Sequence, residues 1–185
     1  MSQFSETHPL SVGDRAPDFE LPGVDSEVHH LTPYCQKYQA VATIFLSNSC
    51  PVVQGYLERL KHLQKEFQSQ GVIFIGINAN DTDKAPQDSF ESMKTFAAEH
   101  DLNFPYLRDP SQDVAQSFGA TITPEVFLLD REGFIRYHGA IDDNPKSPEK
   151  VEQFYLRDAI AAVLENRPVT PQLTEAIGCA LQWRG

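Results

Sequence analysis

The chain has 185 residues, enough for one compact domain with a sizeable core and too few for two. Its 41% hydrophobic and 22% charged content is that of a globular protein, and three cysteines are too few for a disulfide scaffold. A formal charge of −11 argues against nucleic acid or an anionic membrane surface as partner, because both select for basic patches.

The opening "MSQFSETHPLSVGD" has neither a basic nor an apolar leader region, and nowhere do about 18 apolar residues run together. The expectation is a cytoplasmic protein with no membrane span. Its cysteines, Cys35, Cys50 and Cys179, lie at no metal-ligand spacing, and His29 and His30 have no matching partners, so neither metal nor cofactor is expected.

In chain order, "PDFELPGVDSEVHHL" gives two short alternating runs about a Pro/Gly/Asp turn, the pattern of a β-hairpin. "VATIFLS" (41–47) is a short apolar run suited to a strand buried on both faces. After it Val52, Val53, Tyr56, Leu57, Leu60, Leu63 and Phe67 recur at helical spacing, with Gly71 as the stop. "VIFIGINA" (72–79) predicts a second buried strand, and 78–89 a long polar loop. A helix then starts at Asp88 or Ser89. "NFPYLRD" is extended, and "SQDVAQSFGA" is a short helix ending at Gly119. "EVFLLD" and "FIRYHGAI" are strands about a tight "REG" turn, and "EQFYLRDAIAAVLEN" (152–166) is an amphipathic helix. Parallel strands linked by helices, then a hairpin and a last helix, predict an α/β architecture. It has a central mixed sheet flanked by helices, with the β-hairpin at its N-terminal end. The expected organisation is one domain over 1–185, with 1–12 and 168–185 as terminal extensions.

Chemistry concentrates at the strand-to-helix junction, "SNSCPVV". Pro51 suits the first helical position, where its missing N–H costs nothing, and this leaves Cys50 at the helix start. Free backbone N–H groups and the positive end of the helix dipole stabilise a thiolate there, so Cys50 is the expected nucleophile rather than a packed core thiol.

This junction, together with "FPYLRDPSQDVAQSFGATITPEVFLLDREGFIRYHGAIDDN" and the terminal "IGCALQW", resembles the thioredoxin-like redoxin family. The branch is that of alkyl-hydroperoxide reductases and thiol-specific antioxidant proteins, and the likeness runs from about Gly13 to Trp183. It implies a thioredoxin-like fold and a thiol-based antioxidant or oxidoreductase. The substrate would be a peroxide or a protein disulfide and the reductant an external thiol; the oligomeric state stays open. It also implies that Thr123-Pro124 is the cis-proline loop facing the active cysteine, whereas an ordinary trans proline at a strand start would fit the local sequence equally.

The departure from the family's Cys-x-x-Cys is Ser47, which rules out a local disulfide. Ser47-x-x-Cys50 resembles instead the peroxiredoxin arrangement, in which a hydroxyl three residues ahead assists the thiolate. Two peroxiredoxin features are absent. Thr43 stands in place of a proline, and Thr123-Pro124 in place of an arginine, leaving Arg108 or Arg136 as substitutes. The alternative is a redox-inactive binding module that has lost its first cysteine.

An oxidised Cys50 needs a second thiol. Cys179, in a segment shared by the branch, is the possible resolving residue if the tail folds back. The simpler expectation is that Ile177, Leu181 and Trp183 anchor the tail and Cys179 only packs. Cys35 is read as buried packing or a surface thiol. Asp142-Asp143 reads as a solvated turn, and His62 and His100 as surface residues.

Overall fold

A computed structural model describes residues 8–185; the greater part of the anticipated extension 1–12 lies outside the described residues. The hairpin forms as β1 (Glu20–Pro22) and β2 (Val28–His30), antiparallel and separate from the main sheet. A short helix not anticipated from the sequence, α1 (Leu31–Lys37), follows directly. Pro33 lies in its first turn, where a proline leaves no helical hydrogen bond unmade.

The main sheet has strand order β5-β4-β3-β7-β8, with β3 (Ala40–Phe45) at its centre. β4 (Val72–Asn78) and β5 (Tyr106–Arg108) run parallel to β3; on the other side β7 (Glu125–Asp130) lies antiparallel to β3, and β8 (Ile135–Gly139) antiparallel to β7. This is the expected mixed sheet. The helices α2 (Pro51–Phe67), α3 (Phe90–Glu99) and α5 (Tyr155–Leu164) pack on one face of it. α1, α4 (Asp113–Phe118) and β1 pack on the other. The alternation inherent in a strand assigns the residues: Ala40, Ala42 and Ile44 of β3 join the first cluster, and Val41 and Phe45 the second. α2 turns Val53, Tyr56, Leu57, Leu60, Leu63 and Phe67 inward, as its spacing predicts, and a short 3-10 turn then ends at Gly71 in the left-handed region. Ser89 rather than Asp88 caps α3, its hydroxyl accepting from the Ser92 N–H.

Two short strands complete the fold: β6 (Ile122–Thr123) and β9 (Cys179–Ala180), paired antiparallel with Thr123 opposite Cys179. The C-terminal segment is therefore woven into the body. Both Thr123-Pro124 and Thr170-Pro171 are cis. The architecture is the thioredoxin-like fold, with an additional strap running back over the start of α2.

Candidate active site

The sheet register assembles the site. Phe45, at the C-terminal end of β3, pairs with Glu125, at the start of β7. The loop that follows β3 (Ser47–Cys50) therefore faces the cis Thr123-Pro124 turn preceding β7. Cys50 is the N-cap residue of α2, with Pro51 at the first helical position. No side chain caps that end, so the helix's first N–H groups stay available to a negative charge on the sulfur.

Cys50 and Cys179 are joined in a disulfide, with Cα atoms 5.9 Å apart and 129 residues between them in sequence. The tail does fold back, and Cys179 does more than pack. The β6–β9 pairing sets Cys179 across from Thr123, and the Cys50 sulfur lies 3.5 Å from the Thr123 carbonyl oxygen. Cys50 is only 2% exposed, whereas Cys179 is half-buried.

The Ser47 hydroxyl is 1% exposed and hydrogen-bonds the Thr123 hydroxyl at 3.0 Å. Ser47, Cys50, Thr123, Pro124 and Cys179 thus form one cluster. The two arginines considered as thiolate partners are engaged elsewhere. Arg108 is buried and donates to the carbonyl oxygens of Asn78, Asn80 and Asp88, and burial lowers its pKa. Arg136 pairs with Asp130, at the end of β7 remote from Pro124.

A buried polar network supports the Cys50 loop, and sequence reading missed it. Asp88, fully buried, accepts from the Asn48 N–H (2.6 Å), the Ser49 hydroxyl (2.9 Å) and the side-chain amides of Asn78 and Asn80 (3.0 Å each). The Tyr106 hydroxyl donates to Asn48 Oδ1 at 2.7 Å and accepts from Asn78. The stretch 78–89 read as a long polar loop because its residues are polar, yet Asn78, Asn80, Asp81 and Asp88 are buried. The side chains of Asn78, Asn80 and Asp88 serve one another, the Asn48 backbone and the Ser49 hydroxyl. Asn-x-Asn with a later Asp was the available signal.

Two further readings are corrected, and for Cys35 the buried alternative holds. Asp142 is not a solvated turn residue. At 6% exposure it accepts from Tyr56 Oη, Arg59 Nη1 and its own Asx-turn partner Asn144 N. Ile177 is 56% exposed and anchors nothing, whereas Leu181 is buried and Trp183 packs beside it. Cys35 is a free, buried thiol; burial, then Asp130 and Asp18, push its pKa up to about 11.

The profile of the AhpC/TSA family matches residues 12–138, well over half of the chain. The chain belongs to the AhpC/TSA family. Among curated proteins it is similar to the thiol-disulfide oxidoreductase ResA of Geobacillus thermodenitrificans, 29% identical over 133 residues, 72% of this chain and 71% of that one. Among solved structures, a hypothetical protein of Sinorhizobium meliloti 1021 superposes with a TM-score of 0.88 at 34% identity, covering 96% of this chain and 97% of the other. The thioredoxin domain of a thiol-disulfide oxidoreductase of Bacteroides vulgatus, at 21% identity and a TM-score of 0.58, covers 68% of this chain and 86% of that one, a likeness of fold. In this chain the partner of the helix-capping cysteine comes from the C-terminal strap, the Cys-x-x-Cys position being Ser47.

Proposed function

We propose that this chain is a thiol–disulfide oxidoreductase whose redox pair is Cys50 and Cys179, with Cys50 as nucleophile and Cys179 as resolving thiol. The observation that carries this reading is the bond between the helix-capping Cys50 and Cys179, set opposite Thr123 on the paired strand. A redox-inactive binding module would need no second cysteine at that point.

In the reduced state, the α2 N-terminus favours the Cys50 thiolate. The thiolate attacks one sulfur of a substrate disulfide, forming a mixed disulfide on Cys50 and expelling the other substrate sulfur as thiolate. The Cys179 thiolate then attacks the Cys50 sulfur, releasing the second substrate thiolate and closing Cys50–Cys179. The substrate gains two electrons and the protein loses two. With a hydroperoxide, Cys50 attacks the terminal peroxide oxygen, giving a sulfenic acid and an alcohol. Cys179 then displaces hydroxide, which leaves as water with the thiol proton. The hydroxyls of Ser47 and Thr123 beside Cys50 favour this second reading. The engagement of Arg108 and Arg136 elsewhere favours the first.

To restore the dithiol, an external thiolate attacks the sulfur of Cys179, the less buried residue of the pair, and expels Cys50, whose thiolate leaves readily at a helix N-terminus. A second thiol frees Cys179.

The test is one equivalent of glutathione disulfide, or of hydrogen peroxide, added to fully reduced protein, followed by acid quench, alkylation and mass spectrometry. A Cys50–Cys179 bond is expected, with Cys179→Ser accumulating glutathione, or sulfenic acid, on Cys50 and Cys50→Ser inert. Reduced protein that never forms the bond overturns the reading. The faster of the two oxidants names the substrate class.

A further inference from the structure

β9 has only two residues, too few to hold a segment in place by strand pairing alone. Other contacts flank Cys179 on both sides, and none of them involves sulfur. Before it, Thr174 is fastened to β8 and the residue beyond. Its N–H donates to the His138 carbonyl, and its hydroxyl accepts from the Ala140 N–H and meets the Tyr137 hydroxyl at 2.5 Å. After it, the Leu181 N–H donates to the Thr121 carbonyl and the Leu181 side chain is buried. Gln182 is gripped most closely. Its N–H donates to Asn80 Oδ1 at 2.9 Å, and its carbonyl accepts from the Asp81 N–H at 2.8 Å and from Gln112 Nε2 at 2.9 Å. Gln112 Oε1 in turn accepts from the Arg184 N–H.

Asn80 also reaches the other half of the redox pair. Its Nδ2 donates to Asp88 Oδ2 at 3.0 Å, and Asp88 accepts from Asn48 N and Ser49 Oγ just before Cys50. A single buried amide therefore ties the strap to the carboxylate that shapes the Cys50 loop.

We propose that Asn80 is a positioning residue that keeps Cys179 docked at Cys50 in the dithiol as well as the disulfide, so that reduction opens the S–S bond without releasing the strap. The inference rests on Cys50 and Cys179 being the redox pair. Docking raises the effective concentration of Cys179 at Cys50 and favours the disulfide in the exchange Cys50-SH + Cys179-SH + GSSG ⇌ Cys50–S–S–Cys179 + 2 GSH.

The experiment equilibrates the full chain across glutathione redox buffers, quenches with acid, and counts the Cys50–Cys179 bond by mass after alkylation. Asn80→Ala and, separately, Gln112→Ala are each expected to lower the equilibrium constant by about tenfold, about 30 mV towards easier reduction. Gln112 makes no hydrogen bond to the Cys50 loop, so its variant tests the grip on the strap without touching Asp88. In a Cys179→Ser background, Gln112→Ala is expected to leave the rate of Cys50 alkylation within about twofold. Wild-type equilibrium constants in both variants overturn the proposal. So does a silent Gln112→Ala together with an altered Cys50 alkylation rate on Asn80→Ala, since Asn80 would then act on the Cys50 loop alone. Failure of the unsubstituted protein to form the bond at any buffer ratio overturns instead the assignment of the redox pair.

Discussion

Gly178 precedes Cys179, and its lack of a side chain is a requirement of the strap's seat on Thr123. A Cβ built there would lie 2.0 Å from the Thr123 carbonyl oxygen, 2.7 Å from the carbonyl carbon and 3.1 Å from Pro124 Cδ. The first two of these atoms are backbone and the third is a locked ring, so no rotamer change relieves the clash. Gly178 does not need the left-handed region, which makes Gly178→Ala a purely steric perturbation. Ordinary contact begins near 3.4 Å, so the strap must retreat by about 1.4 Å. Carried to the adjacent Cys179, that shift widens the 5.9 Å Cα separation by up to about 1.4 Å, to the ~7 Å limit beyond which a disulfide closes only with backbone movement. Gly178→Ala should therefore prevent or greatly weaken the Cys50–Cys179 bond. Closing a loop of 129 residues lowers the entropy of the unfolded chain by an amount worth about 5 kcal/mol. In a protein of this size that corresponds to roughly 10–20 °C in melting temperature. The assay is a thermal melt under oxidising conditions with a parallel thiol count. The variant should titrate three free thiols and melt near the reduced wild-type protein. One free thiol and a wild-type melting temperature would show that the strap is not seated on Thr123 as described.

Ser47→Cys restores the Cys-x-x-Cys spacing, but residue 47 is buried beneath the strap and Cys50 is already paired. A disulfide between residues 47 and 50, read by mass after alkylation, is expected only when Ser47→Cys is combined with Cys179→Ser; the same bond forming equally with Cys179 intact would contradict the strap's cover. Asp142→Asn breaks the buried pair with Arg59 (2.7 Å) and weakens acceptance from Tyr56. It should cost about 3 kcal/mol, near the lower end for a broken buried ion pair. A melting temperature unchanged within 1 °C would remove that assignment. Cys35, with its pKa raised from 9.0 to about 11, carries about a hundredfold less thiolate at pH 8 than an unperturbed thiol. Iodoacetamide should label it correspondingly slowly in the oxidised native protein, the rate rising with pH through 10 and 11. Labelling at the speed of the urea-unfolded chain would refute its burial.

The β3–α2 junction was legible because local chemistry dictates it. A β-branched run ends, Pro51 starts a helix, and whatever precedes that proline caps it. Asp142 and Asp88 were misread or missed for the opposite reason. Acidic residues in turn-rich stretches are usually solvated, and their burial here draws on distant partners, Asn48 at 40 positions from Asp88 and Tyr56 at 86 from Asp142. α1 was missed because seven residues containing a proline give too short a helical period to register.

By itself the sequence determined the order of the five main-sheet strands and the helices between them, the mixed sheet and the placement of Cys50 at a helix N-terminus. These follow from hydrophobic period and capping chemistry, which act over a few residues. Only the tertiary structure decided what Cys50 bonds to. Cys179 reaches it through the pairing of β9 with β6, a buried grip on Gln182, and a glycine small enough to lie on Thr123. Contacts across 129 residues of chain leave no periodic trace, because each depends on where the intervening fold happens to set its partner.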